Sequence, residues 1–178
     1  NIVVNYNKYL EDELNTLRNF KVNDNLDLVL TKVKYRNMYG SDLVIYRGFN
    51  DLIKMGDAIL TNDGLVGIVK KTYSDSSVVD LITSRDSAIS VSIGDYFGIL
   101  KCINNELVIT DINNYSNINV GDKIYTSGLG NINKGIYVGV VKSINLTDTG
   151  IEKIIYVDIG NRLNNLNYLY IWRSLWYI

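Results

Sequence analysis

One phrase in this chain is written twice. Met55-Gly56-Asp57-Ala58-Ile59-Leu60-Thr61 returns as Val120-Gly121-Asp122-Lys123-Ile124-Tyr125-Thr126. Each copy is followed by a second shared element, Val66-Gly67-Ile68-Val69-Lys70 in the first and Val138-Gly139-Val140-Val141-Lys142 in the second. An apolar residue, Gly-Asp, a short β-run and a glycine-pinned strand form one supersecondary unit. Repetition of that unit in the same internal order predicts two related β modules in tandem, not one large sheet. A third Gly-Asp, Ile93-Gly94-Asp95, falls between the copies and is expected to open another strand pair.

The totals narrow what such modules can do. A chain of 178 residues builds one or two small domains without covalent staples. A net charge of -1 and the lack of a Lys/Arg run leave no electrostatic footprint for nucleic acid. The apolar stretches break before the ~18 residues that a membrane-spanning helix needs. The chain starts at Asn1 instead of Met and reads as a part of a longer protein. There is no histidine, which removes the usual general base and the Ser-His and Cys-His nucleophile pairs. The single Cys102 sits in the apolar run 99–103 and reads as a small buried hydrophobe. Without proline, turns fall to Gly, Asn and Asp.

Residues 1–22 differ from the rest. Leu10, Leu14 and Leu17 are spaced four and three apart, and the pattern extends back to Asn7 and Val3. As a heptad, Val3, Leu10 and Leu17 take d positions while Asn7 and Leu14 take a positions. The stripe suits a two-stranded coiled coil in which Asn7 sets the register; an amphipathic helix lying on its own domain is the other reading. From about Leu26 the pattern is β. Strands are expected around 28–33, 43–46, 58–61, 65–69, 78–82, 89–93, 98–103, 106–109, 138–146 and 151–159, joined by Gly/Asn/Asp turns. Short strands at this spacing, with no helical pattern between them, indicate small barrels or sandwiches. The first module is placed at 23–95, with strands open to sharing, and the second at 96–178. In the aromatic tail, Tyr168, Tyr170 and Trp172 share one face of a strand whose rings are expected to pack in a core; an exposed patch or membrane-surface contact is the other reading.

Catalytic constellations are thin. Asp57, Asp95 and Asp122 offer a carboxylate set for glycoside hydrolysis, but each follows a glycine, where Asp serves to close turns. Thr126-Ser127-Gly128-Leu129-Gly130 lacks both the nucleophile-elbow and the phosphate-loop spacing. No catalytic, cofactor-binding or metal-ligating residues are assigned. Gly67 and Gly139 are expected to let strands bend or approach closely at corresponding barrel corners, and Gly56, Gly121 and Gly128 are further structural glycines.

The ordered set 55–69, 79–83, 120–129 and 134–141 resembles the extracytoplasmic region of the bacterial rod shape-determining MreC family. There, Gly-Leu-Val-Gly, a later Gly-Asp with Thr-Ser-Gly, and a final glycine-pinned strand recur in this order after a coiled-coil helix. The resemblance spans residues 5–171. It implies an N-terminal helix followed by two small β-barrels, held at the outer face of the cell membrane by an upstream transmembrane helix. It also implies a non-enzymatic scaffold whose helix dimerises, with the stripe Val3, Asn7, Leu10, Leu14 and Leu17 as the seam, and with a dimer and a filament as the two alternatives. The partners implied are the wall-elongation transpeptidase and membrane shape-determining proteins. Two other functions compete: an unrelated tandem-barrel adaptor of a phage or secretion system, and a histidine-free peptidoglycan hydrolase.

Overall fold

A computed structural model of the chain describes residues 2–19, 27–37 and 39–174, with side chains of 16–19 excepted. Among the described residues one α-helix, α1 (Ile2–Asn19), precedes twelve strands, with a 3-10 turn at Phe49–Asp51. They are β1 (Leu28–Arg36), β2 (Asp42–Ile45), β3 (Ala58–Thr61), β4 (Gly64–Thr72), β5 (Ser77–Leu81) and β6 (Ala88–Ile93). The second six are β7 (Tyr96–Ile103), β8 (Glu106–Asn113), β9 (Lys123–Thr126), β10 (Tyr137–Leu146), β11 (Glu152–Asp158) and β12 (Tyr168–Trp172). All pairings are antiparallel, and they close two six-stranded barrels. Closure leaves neither sheet with an open edge. The fold class expected from the sequence, mainly β with a helix and two small barrels, is the observed one.

The barrels do not divide at 95/96, as the sequence suggests. Barrel one runs β1-β12-β3-β4-β5-β2 and barrel two runs β10-β11-β8-β7-β6-β9. A cut after Asp95 therefore splits the β6–β7 hairpin, whose turn is Gly94-Asp95. It also assigns β12 to the wrong barrel. Period-two patterning tells which face of a strand is buried but not which strand it pairs with, so this partition is invisible in sequence.

Alternation fills both interiors. Leu43, Ile45, Ile59, Val66, Val69, Val79, Leu81, Leu169 and Ile171 make the core of barrel one. Ile89, Val91, Leu100, Ile109, Ile124, Val138 and Ile155 lead the core of barrel two. Cys102 is buried in β7, where burial pushes its thiol above the ordinary range, consistent with a packing role. Between Leu169 and Ile171, which point inward, the aromatic residues of β12 face out of barrel one. Trp172 packs with Ala58, Leu60 and Ile68 against the cluster of barrel two. Trp172 is thus packed at a joint between barrels instead of inside its own, while Tyr168 meets Lys32 and the helix arm.

Candidate functional site

The repeated phrase folds into the same turn twice, bond for bond. Gly56 N donates to Val69 O at 2.9 Å and Gly121 N to Val141 O at 2.8 Å. Val69 N returns to Asp57 O and Val141 N to Asp122 O, both at 2.9 Å. The Asp57 carboxylate accepts from Lys54 N and that of Asp122 from Asn119 N, both at 2.8 Å. Gly56 and Gly121 stand at φ +96° and +91°, a region that a side chain rarely tolerates. Eleven and eighteen residues on, Gly67 and Gly139 occupy matching corners. A Cβ on Gly67 would lie 2.2 Å from Asp80 O, and one on Gly139 2.3 Å from Asp158 O. Gly128 has φ +79°, and a Cβ there would meet the Lys134 side chain at 2.7 Å.

These turns account for two of the three candidate carboxylates. Asp57 is buried and Asp122 half-buried, each folded back onto the backbone three residues earlier. They belong to different barrels, and Asp122 lines a surface cleft with Asp95 and Lys123. Asp95 lies in the two-residue turn of β6–β7. Ser127 Oγ donates to Ser90 Oγ at 2.7 Å and accepts from Leu129 N at 3.1 Å, so it pins a loop to β6.

The helix arm presents a different chemistry. Val3, Asn7, Leu10 and Leu14 are exposed, while the Leu17 side chain lies outside the described residues, as do residues 175–178 of the tail. The arm meets barrel one through Glu13, whose Oε1 accepts from Lys32 Nζ at 2.7 Å and Tyr168 Oη at 2.6 Å. Tyr9 Oη donates to the same oxygen at 3.2 Å. The hydrogen bond from Lys32, then that from Tyr168, holds the Glu13 carboxyl below the usual carboxylate range. In turn Glu13 raises Lys32 and Tyr168 above their ordinary values. Neither Lys32 nor Tyr168 is signalled by a local pattern, because they lie 19 and 155 residues away from Glu13.

A second cluster fixes the barrels to each other. Arg162, buried between them, donates from Nη1 to Leu65 O at 3.2 Å and from Nε to Ile159 O at 3.0 Å. Its guanidinium lies 5.5 Å from the Tyr137 ring centroid. Burial works against its charge, and Tyr137, Asp63 and Asp158 offset that in part. The joint therefore combines apolar packing with a satisfied cation, which sets one relative orientation. Elsewhere, Gly40, Ser41, Ser84, Arg85, Asp86 and Asn105 line a polar cleft.

Two closed barrels held at a pinned joint, with an exposed helix and two of the three candidate carboxylates folded into turns, define a helix-armed double-barrel protein. Comparison with known proteins is specific. The family model described as "Rod shape-determining protein MreC, barrel core" matches residues 33–173, and the chain belongs to that family. The Streptococcus pneumoniae cell shape-determining protein MreC is 36% identical over 100 residues, which cover 50% of this chain and 37% of that protein. The chain thus spans well under half the length of that relative. Among solved structures, MreC of Listeria monocytogenes superposes with a TM-score of 0.79 at 24% identity, covering 97% of this chain and 87% of that one. An MreC from Helicobacter pylori, solved in complex with the penicillin-binding protein PBP2, gives 0.63 at 20% identity, covering 83% of this chain and all of the other. Among the described residues no helix is long and apolar enough to cross a membrane.

Proposed function

We propose that this chain is an extracytoplasmic, membrane-anchored scaffold of the cell-wall elongation machinery. It self-associates along Val3, Asn7, Leu10, Leu14 and Leu17, and it holds a wall transpeptidase and membrane shape-determining partners in place. It does no chemistry of its own. Membership of the MreC family over residues 33–173 is the observation that carries this reading. The exposed apolar stripe of α1 supports self-association, since a helix with such a stripe gains stability by covering it. The Helicobacter pylori complex supports a transpeptidase partner, and the rigid double barrel suits a part that positions others.

Direct titration against the ectodomain of the same organism's elongation transpeptidase tests the reading. Saturable binding in the micromolar range, about -8 kcal/mol, is the expected result. No binding by folded protein up to about 1 mM, near -4 kcal/mol, would overturn the scaffold function.

A further inference from the structure

Compared strand by strand, the barrels have traded a part. In chain order the strands form two runs of six, β1–β6 and β7–β12. Substituting β7–β11 for β1–β5, and β6 for β12, converts every neighbour pair of barrel one into a neighbour pair of barrel two. The irregularities coincide as well. Between β3 and β4 the register slips from Ile59↔Gly67 to Leu60↔Leu65, and between β9 and β10 from Ile124↔Gly139 to Tyr125↔Tyr137. Opposite β5 and β11 it slips at Val69/Lys71 and Val141/Ser143. Each run of six therefore gives its sixth strand to the other's barrel. β6 joins barrel two through its two-residue turn to β7, whereas β12 closes barrel one between strands far from it in the chain.

The slot in barrel one lies between β1 and β3. β12 enters it antiparallel to both, from Leu28↔Trp172 to Lys32↔Tyr168 on one side and from Tyr170↔Leu60 to Trp172↔Ala58 on the other. Leu169 and Ile171 fill the interior and are fully buried. Beyond the strand a polar latch closes. Arg173 grips the Asp27 carboxylate and donates to Asp51 O at 3.2 Å. Ser174 N and Oγ donate to Asp57 Oδ1 at 2.9 and 3.0 Å. The turn aspartate of the first repeat thus receives the incoming strand with the oxygen that its turn leaves over.

The strand arrives on a connection of nine residues, 159–167, long enough to span about 30 Å when extended. Nothing in the slot, register or latch depends on which chain supplies 168–174. Exchange between copies keeps these contacts; it is opposed by the entropy of association and by rearrangement of the connection, which Arg162–Leu65 O and Val33 N–Asn167 O tie to barrel one. We propose that β12 is an exchangeable strand, and that the β1–β3 slot of barrel one accepts residues 168–174 of a second copy. This association does not depend on the helix seam, and it joins copies through backbone pairing of the strand-addition kind.

The test places one partner of the outward pair Lys32↔Tyr168 on each of two chains. Lys32→Cys and Tyr168→Cys are made separately in a Cys102→Ala, Leu14→Asp background, which removes the native thiol and disables the seam. The two chains, one isotopically labelled, are refolded together and oxidised. A chain carrying both substitutions gives the crosslink yield of a filled slot. Mixed-label crosslinks between positions 32 and 168 are expected, rising with protein concentration. Deleting Asn164 and Asn165, which shortens the connection, should raise their share several-fold. Crosslinks confined to single chains at every concentration, with and without the deletion, would overturn the proposal. If the shortened chain does not fold, the unshortened pair still decides it. Failure here leaves transpeptidase binding untouched, and failure of that binding leaves this exchange standing.

Discussion

At the scale of the residue, two glycines set how closely neighbouring strands pack at the barrel corners. Gly67 and Gly139 stand where a neighbouring strand's carbonyl oxygen occupies the space of a side chain. The clash is with backbone, so no rotamer change relieves it, and the strand pair itself must part. Gly67→Val and Gly139→Val should each cost about 2 kcal/mol, in the range of overpacked cores, which lowers the melting temperature by roughly 4–8 °C in a protein this size. Equal losses at both positions are expected because both corners are built alike, and thermal unfolding followed by circular dichroism measures them. An unchanged midpoint at either would show that the corner widens freely. These positions were legible in the sequence, since a repeated phrase with glycine at one place implies one geometric demand met twice. Arg162 was not, because its partners Leu65 and Tyr137 come from distant segments.

At the scale of the element, α1 is tied to barrel one, among the described residues, by the Glu13 carboxylate. Its apolar stripe was legible as a 3-4 spacing, but its attachment was not: nothing local marks Glu13 as the residue that meets Lys32 and Tyr168. The attachment is electrostatic and therefore depends on pH. Docking holds the Glu13 carboxyl below its ordinary value, so an undocked arm takes up the proton first as the solution is acidified. The tether is fully present above about pH 4.3, the ordinary glutamate pKa, and is lost as the pH falls through the lower value of the docked state. NMR titration of the Glu13 side chain should show the depressed midpoint, and Lys32→Met should move it up toward the ordinary value. A midpoint unaffected by Lys32→Met would remove the ion pair as the tether. Because the pair is near the surface, added salt should loosen it too.

At the scale of the whole molecule, traded strands and a shared joint should make the two barrels open as one body. Most strands, and the doubling of the module, follow from alternation and turn residues, because those are local. The closure of barrel one by the last strand of the chain follows from nothing local, and so the tandem division at 95/96 fails. The exchange has an energetic consequence. Ala58, Leu60, Ile68 and Trp172 cover the core cluster of barrel two from outside, so opening barrel one uncovers barrel two. Ile171 lies wholly inside barrel one, and Ile171→Ala should cost about 2–5 kcal/mol there. Cys102, buried in β7 of barrel two, reports on the other barrel through its reaction with a thiol reagent. If the barrels open together, Ile171→Ala speeds Cys102 labelling by the full equilibrium factor, since about 1.4 kcal/mol corresponds to tenfold, and unfolding shows one transition by every probe. Labelling at the unaltered rate, while barrel one unfolds at lower denaturant, would mean that barrel two stands without its cover. The joint would then be a contact between independent parts and not the means by which a distant strand stabilises both.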